Sequence, residues 1–226
     1  MTFSLILRDP ETGEFGSAIS SSSPAVAARC LNLADGIGGA NSQNVTDPRL
    51  GPKLLDQLRA GRSAQQAIDA VVAAADPETI DYRQLLVLDN QGRAAVFSGG
   101  RALGNFGAAT RENAVAGGNM LAGLDVLDAL VDTALSAPGR IEERLYAALQ
   151  AAVAAGGEEG PVHSAGLSVV GSAGWRITDL RVDWADEDPI GALGRALEEW
   201  LPQRDDYVNR GLNPMAAPSY GVPGDE

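Results

Sequence analysis

Thr2 is the residue whose type and position offer the clearest chemistry. A second residue as small as threonine favours removal of Met1, which would leave Thr2 with a hydroxyl and a free α-amine. Those two groups are a nucleophile and its own base, and an amine with a reference pKa of roughly 7.7–8.0 suits proton abstraction near neutrality. Ser20, Ser21, Ser22 and Ser23 form a hydroxyl run. If the opening segment folds back about Glu11–Gly13, Ser22 or a neighbour lies across from Thr2. Asn119 follows Gly117 and Gly118, and its amide could bind an amine or a substrate amide. His163, the only histidine, stands beside Ser164 and could orient substrate or tune the amine.

Other groups point away from chemistry. One histidine and no CxxC or HxxxH spacing exclude a histidine-cluster metal site, and no cofactor is expected. Asp183, Asp186, Glu187 and Asp188 gather carboxylates, but Asp188 reads as a helix N-cap and the rest as a solvated run. Cys30, the sole cysteine, sits among alanine and leucine and reads as a buried, inert thiol.

The elements that must position these residues follow from pattern. Phe3 to Leu7 and Phe15 to Ser21 read as strands joined by the Pro10–Gly13 turn cluster. Gly36 to Gln43 is small and nearly uncharged, a strand whose backbone something approaches closely. Asp47-Pro48 and Asp188-Pro189 are helix-start signals, and Ser63 with Gln66 has capping-box spacing. Leu50, Leu54, Leu55 and Leu58 share one helical face, as do Ala67, Ile68, Val71 and Val72. Tyr82–Asp89 with Arg93–Ser98, and Ser164–Val170 with Trp175–Val182, read as hairpins. Ala114–Ala116 is a short strand after a loop, and helices are expected over Leu124–Leu135 and Ile141–Ala154. Helix pairs between antiparallel hairpins indicate an α+β fold, two antiparallel sheets face to face with helices outside. A single domain spans residues 1–201, followed by an irregular Pro/Gly-rich tail over 202–226.

Charge and composition narrow the function. A formal charge of −13 disfavours nucleic acid and acidic membrane surfaces as partners. No run approaches the roughly 20 apolar residues of a membrane helix. The first segment breaks at Arg8 and Asp9, too early for a signal peptide, so a cytoplasmic location is expected.

The element order, with a hairpin beginning at residue 2, resembles the Ntn-hydrolase superfamily, which includes the proteasome β subunits. The stretches MTFSLILRDPETGEFGSAISSSSPAVAARC, SQNVTDPRLGPKLL, DYRQLLVLD, GGNMLAG, GPVHSAGL, DLRVDWADEDPI and APSYGVPG resemble a narrower bacterial family of unknown function, number 1028, along nearly the whole chain. The resemblance implies a four-layer αββα sandwich. It also implies a hydrolase acting on an amide or related C–N bond of a small molecule, with Thr2 as nucleophile. Gly39, Ala40 and Asn41 then match the strand that supplies oxyanion-hole backbone, whose donors are typically worth about 3–4 kcal/mol in the transition state. Gly118 and Asn119 match the loop near the N-terminal amine.

Many relatives carry a lysine near Ser22, where this chain has only hydroxyls; Lys53, its one lysine, falls in a helix. The expected catalytic set is Thr2, Ser22, Asn119 and His163. The expected binding set is Gly39, Ala40, Asn41, Gly118 and Ser164. The alternative is a non-catalytic binding or regulatory protein of the same fold. A homodimer or higher homo-oligomer is expected from the apolar residues of the tail.

Overall fold

The alternation of the first strand sets the architecture. In β1 (Thr2–Arg8), Phe3, Leu5 and Leu7 belong to one apolar cluster, while Ile6 belongs to another on the opposite face. A strand apolar on both faces must lie between two layers. The computed structural model, which describes residues 1–222, places it there. β1 sits inside a six-stranded antiparallel sheet in the order β10-β9-β2-β1-β8-β7. Its members are β2 (Phe15–Ser21), β7 (Gly107–Arg111), β8 (Ala114–Asn119), β9 (Ser164–Val170) and β10 (Arg176–Val182). A four-stranded antiparallel sheet faces it, with β3 (Leu31–Ala34), β4 (Gly38–Asn44), β5 (Arg83–Asp89) and β6 (Ala94–Ser98) in sequence order.

Helices cover both outer faces. α2 (Leu50–Arg59) and α3 (Ala64–Ala73) pack Leu54, Leu58, Ala67 and Ile68 against Leu85 and Val87 of the smaller sheet. α4 (Asp125–Ser136), α5 (Ile141–Ala154) and α6 (Pro189–Trp200) close over Phe3, Leu5 and Leu167 of the larger one. The result is the expected α+β, four-layer αββα sandwich. Gly39 and Gly117 allow the sheets to approach: a Cβ there would lie 2.5 Å from Ile6 Cγ2 and 2.6 Å from Leu86 Cδ2.

Ser63 and Gln66 form the expected capping box, and Asp188 caps α6 by accepting from Gly191 N–H at 2.8 Å. Asp47 does not cap α2. Its carboxylate is taken by the Arg49 guanidinium at 2.8 Å, and the helix begins at Leu50. Gly107–Arg111, expected as loop, is strand β7; it is an edge strand of small residues paired only with β8, which leaves little apolar pattern to read. The short helix α1 (Val26–Cys30) and the edge strand β3 are likewise too brief for a periodic signal.

The segment after Leu201 also differs from expectation, because it begins with a helix, α7 (Arg204–Leu212). Arg204 anchors it. Its Nε donates to Glu142 Oε1 at 2.7 Å, Nη1 donates to Asp205 at 2.9 Å, and Nη2 reaches Glu14. Glu142 is fully buried and also accepts from Thr178 Oγ1 at 2.7 Å. Removing the guanidinium would leave a buried carboxylate without its counter-ion. Arg204→Met should therefore cost about 3–5 kcal/mol in urea unfolding. A loss below about 1 kcal/mol, the size of a surface ion pair, would show that the anchor is not buried as described.

Candidate functional site

The register of the larger sheet aligns four polar residues at one end. Thr2 pairs with Asn119 across β1 and β8, and Ser21 pairs with Ser164 across β2 and β9. Phe3 pairs with Ser20, so the next position brings Thr2 opposite Ser21, and their hydroxyl oxygens lie 3.2 Å apart. Residues directly opposite in a sheet share a face. The row Ser164–Ser21–Thr2–Asn119 therefore looks inward, toward the second sheet. All four are buried, Thr2 at 5% exposure and Asn119 at 1%.

The carbonyl of Met1 lies within this row. It accepts hydrogen bonds from both the Thr2 hydroxyl and the Ser21 hydroxyl. Ser21 Oγ is backed in turn by Ser23, whose backbone N–H donates to it at 3.1 Å and whose Oγ lies at 2.9 Å. Arg29 Nη2 donates to Ser23 Oγ at 2.9 Å. A guanidinium thus polarises a short hydroxyl chain that ends on a carbonyl oxygen.

A buried amide and hydroxyl network runs inward from the row. Ser4 Oγ donates to Gln43 Oε1 at 2.6 Å, and Gln43 Nε2 donates to Gln84 Oε1 at 2.8 Å. Asn119 Nδ2 donates to the same Gln84 oxygen at 3.4 Å. Gln84 Nε2 reaches Ser98 Oγ, Gly107 O and Gly118 O, each at 3.1 Å. Asn41 Nδ2 donates to Ser4 Oγ and Ser17 Oγ, both at 3.1 Å. Asn119 Oδ1, at the end of this network, is buried and has no partner.

Glu158 is the site residue that pattern reading missed. The 157–159 segment is tied to 120–122 by Ala122 N–H to Gly157 O at 3.0 Å and Glu159 N–H to Met120 O at 3.1 Å. Glu158 is 7% exposed; its Oε2 accepts from Ser22 N–H at 3.3 Å, and its Oε1 is unpartnered. Burial pushes its carboxyl up to about 7, against the opposing pull of the Met1 α-ammonium and of the Ser22 hydrogen bonds. In sequence it is one glutamate of a pair in a glycine-rich connection, with no spacing to mark it.

The other expected residues are placed as follows. Ser22 stands one position beyond the row and turns its N–H to Glu158. Ser164 Oγ donates to Ser23 O at 2.6 Å and accepts from Val26 N–H at 3.4 Å, holding the turn after β2. His163 is not brought to Thr2: its Nδ1 lies 2.9 Å from Ala185 O, its ring stacks on Trp184 at 4.4 Å, and its backbone N–H donates to Ser21 O at 2.9 Å. Gly39 and Asn41 face inward on β4, and Ala40 packs outward in the core beneath α2 and α3. The β4 backbone pairs with β3 and β5 on its two sides. Gly118 carries Leu121 on its outer side, and its carbonyl serves Gln84.

Backbone strain collects at this end of the sheets. Met120, directly after Asn119, has φ of 53°, and Asn44, at the end of β4, has φ of 71°. Among the described residues no group of three or more His, Cys, Asp or Glu side chains could hold a metal ion, and no helix is long and apolar enough to cross a membrane. Cys30 is buried, and that burial raises its thiol pKa. A surface hollow of about 600 Å³ between α5 and the 186–191 turn includes no residue of the Thr2 row.

The Glu158 carboxyl makes stability depend on pH. An unfolded carboxyl near 4.5 and a folded one near 7 mean that the folded chain holds more proton between those values. Stability is therefore lost as pH rises from about 4.5 to 7, and the deficit persists above that range. Glu158→Gln removes the titration. Between pH 5 and pH 8 the stability difference should move in favour of the variant by about 1–3 kcal/mol. Urea unfolding at both pH values checks this; an unchanged difference would contradict the carboxylate's burial.

A family model described as a family of unknown function, DUF1028, matches residues 2–193. The crystal structure of a protein of that family from Silicibacter pomeroyi is 31% identical, with a TM-score of 0.84 over 92% of this chain and 90% of that one. Anbu in its Gly-1 mutant form, from Hyphomicrobium sp. strain MC1, is 12% identical, with a TM-score of 0.44 over 90% of this chain and 96% of that one. Anbu from Yersinia bercovieri, described as an ancestral β-subunit, is 11% identical, with a TM-score of 0.38 over 89% of this chain and 95% of that one. Likenesses as distant as these two carry no functional argument. No curated protein matches the chain. Matched over most of its length by one family model and over nine-tenths by a solved member, the chain belongs to the DUF1028 family.

Proposed function

We propose that this protein is an Ntn-type hydrolase, cleaving an amide or related C–N bond of a small molecule through Thr2 once Thr2 is N-terminal. The observation that carries the reading is the carbonyl held between the Thr2 and Ser21 hydroxyls in a buried row. A nucleophile must reach the carbonyl carbon and an oxyanion donor its oxygen, so two hydroxyls gathered at one carbonyl can divide those roles.

In the proposed cycle the free α-amine of Thr2 takes the hydroxyl proton as Oγ1 attacks the acyl carbon. Asn119 Oδ1, buried and unpartnered, accepts from that amine and aims its lone pair at the hydroxyl. Ser21 Oγ donates to the developing oxyanion, and the Ser23–Arg29 chain strengthens the donor. The positive charge that many relatives are expected to place near Ser22 is here supplied indirectly by Arg29. The C–N bond breaks, the amine product leaves with the proton, and water then hydrolyses the threonyl ester.

A non-catalytic reading would apply to chains that keep Met1, because the Thr2 nitrogen would then be an amide and could not act as base. A homodimer forms part of the proposal, supported by the exposed Leu212, Met215 and Val222 of the tail. Sedimentation velocity gives a dimer mass if it holds and a monomer mass if it does not.

The catalytic reading is tested with protein confirmed by intact mass to start at Thr2. An electrophile directed at N-terminal threonines should label it, with a basic limb near pH 7–8 that reports the amine. Thr2→Ala should abolish labelling, Thr2→Ser should retain part of it, and Cys30→Ala should leave it unchanged. Ser21→Ala should lower turnover about 10²–10³-fold with little change in KM, the loss typical of one oxyanion donor. Labelling that survives Thr2→Ala would end the proposal.

A further inference from the structure

The residue before Thr2 indicates what kind of acyl group fits beside the Thr2 row. Met1 is an α-aminoacyl group joined to Thr2, and each of its three parts meets a different feature. Its carbonyl oxygen lies on the Thr2 and Ser21 hydroxyls. Its side chain passes over Gly160, where a Cβ would lie 3.1 Å from Met1 Cε. Its α-ammonium is the positive charge acting on Glu158.

Among the described residues no side-chain cation pairs with Glu158, and the α-ammonium of Met1 is the one positive charge that acts on it. One oxygen accepts the Ser22 N–H and the other has no partner, although the residue is 7% exposed. A buried carboxylate in this state is costly unless a ligand brings a donor with positive charge. Its partner Ser22 directly follows Ser21, whose hydroxyl takes the carbonyl, so the Glu158 carboxyl lies at the same end of the sheet.

We infer that the substrates are α-aminoacyl amides, whose free ammonium binds Glu158 while their carbonyl is held by Thr2 and Ser21. The inference rests on the hydrolase reading above. An acyl group carried on Thr2 Oγ1 in the covalent intermediate differs in position from one on Thr2 N only by two carbons of the same residue. Its α-ammonium therefore stays within the region of Glu158, and its side chain stays over Gly160.

Atoms balance in the usual hydrolytic sense. Thr2 Oγ1 bonds to the acyl carbon, and its proton passes through the α-amine to the departing amine as the C–N bond breaks. Water then adds to the ester, releasing a free amino acid and restoring the Thr2 hydroxyl. Glu158 takes no part in these bond changes; its carboxylate form binds the substrate ammonium. An N-acetylated substrate would leave that carboxylate unpaired and press a neutral group against it. A site built around such a bond rejects the blocked analogue strongly.

The test uses the Thr2-starting protein with coumarin amides of L-methionine and L-alanine beside their N-acetyl counterparts. The free-amine substrates should be cleaved with kcat/KM at least about a hundredfold higher. Glu158→Gln should erase that preference by lowering turnover of the free-amine substrates alone, and Glu158→Asp should restore part of it. Equal cleavage of free and acetylated amides by the wild-type chain would overturn the inference while leaving the Thr2 mechanism standing, and this comparison does not depend on the variants folding. Electrophile labelling at Thr2 without cleavage of any aminoacyl amide would also overturn it alone. Absence of both labelling and cleavage would remove the hydrolase reading and this inference together.

Discussion

The inner faces of the two sheets are cut off from bulk solvent, so a polar group there depends on other protein groups for its hydrogen bonds. Ser4, Ser17, Asn41, Gln43 and Gln84 are all fully buried on the inner faces. An unmet donor or acceptor in such a place costs about 1–3 kcal/mol. Gln84 meets the requirement by reaching from β5 to the carbonyls of Gly107 and Gly118 in the other sheet, while its oxygen accepts from Gln43 and Asn119. These bonds have direction, unlike the apolar contacts of Ile6, Leu86, Leu88 and Val115 at the other end of the gap. They fix how the sheets sit on one another. They also commit Asn119 Nδ2 to the network, which leaves its Oδ1 buried and without a partner at the end of the row.

The inner face of β1 thus changes character along three residues, from Ile6 in apolar packing through Ser4 in the amide network to Thr2 at the chain start. The chemistry of the site grows out of that gradient. A carbonyl placed beside Thr2 meets the Thr2 and Ser21 hydroxyls, and a donor held in a buried setting is worth more than in solution. Arg29 adds charge through Ser23 without itself entering the row. Two acceptors without protein donors, Asn119 Oδ1 and Glu158 Oε1, remain at this end of the sheets. They match the two nitrogens that an α-aminoacyl amide mechanism brings together, the amine of Thr2 and the ammonium of the substrate.

Much of the fold was legible because its long elements are strongly patterned. The apolar runs of β1, β5 and β9 with the turns that bound them, and the leucine face of α2, indicated the layers. The edge strands β3 and β7 were not legible, since a strand paired on one side needs few apolar residues. Helix α7 was hidden because a buried Arg204, not an apolar stripe, holds it down. Within the site, Thr2 and Asn119 could be named from residue type, and their pairing across β1 and β8 followed only from the sheet order. Ser22 was placed across from Thr2 to within one residue; the Phe3–Ser20 register makes it Ser21. Gln84 carried a signal, a polar residue at an inward position of an otherwise apolar strand. Glu158 carried none, because its burial is created by contacts between the 120–122 and 157–159 segments, distant in sequence.

The proposed mechanism turns on a single chemical difference, whether the nitrogen of Thr2 is an amine or an amide. The same chain prepared in two forms isolates it, one beginning at Met1 and the other at Thr2, each verified by mass and by an identical melting profile. The measurement is the rate at which a threonine-directed electrophile forms an adduct on the first peptide of each form. Adduct in the Thr2 form alone, rising as the amine deprotonates, is the predicted result. Equal rates in both forms would mean that the amine is not the base, and would contradict the mechanism outright.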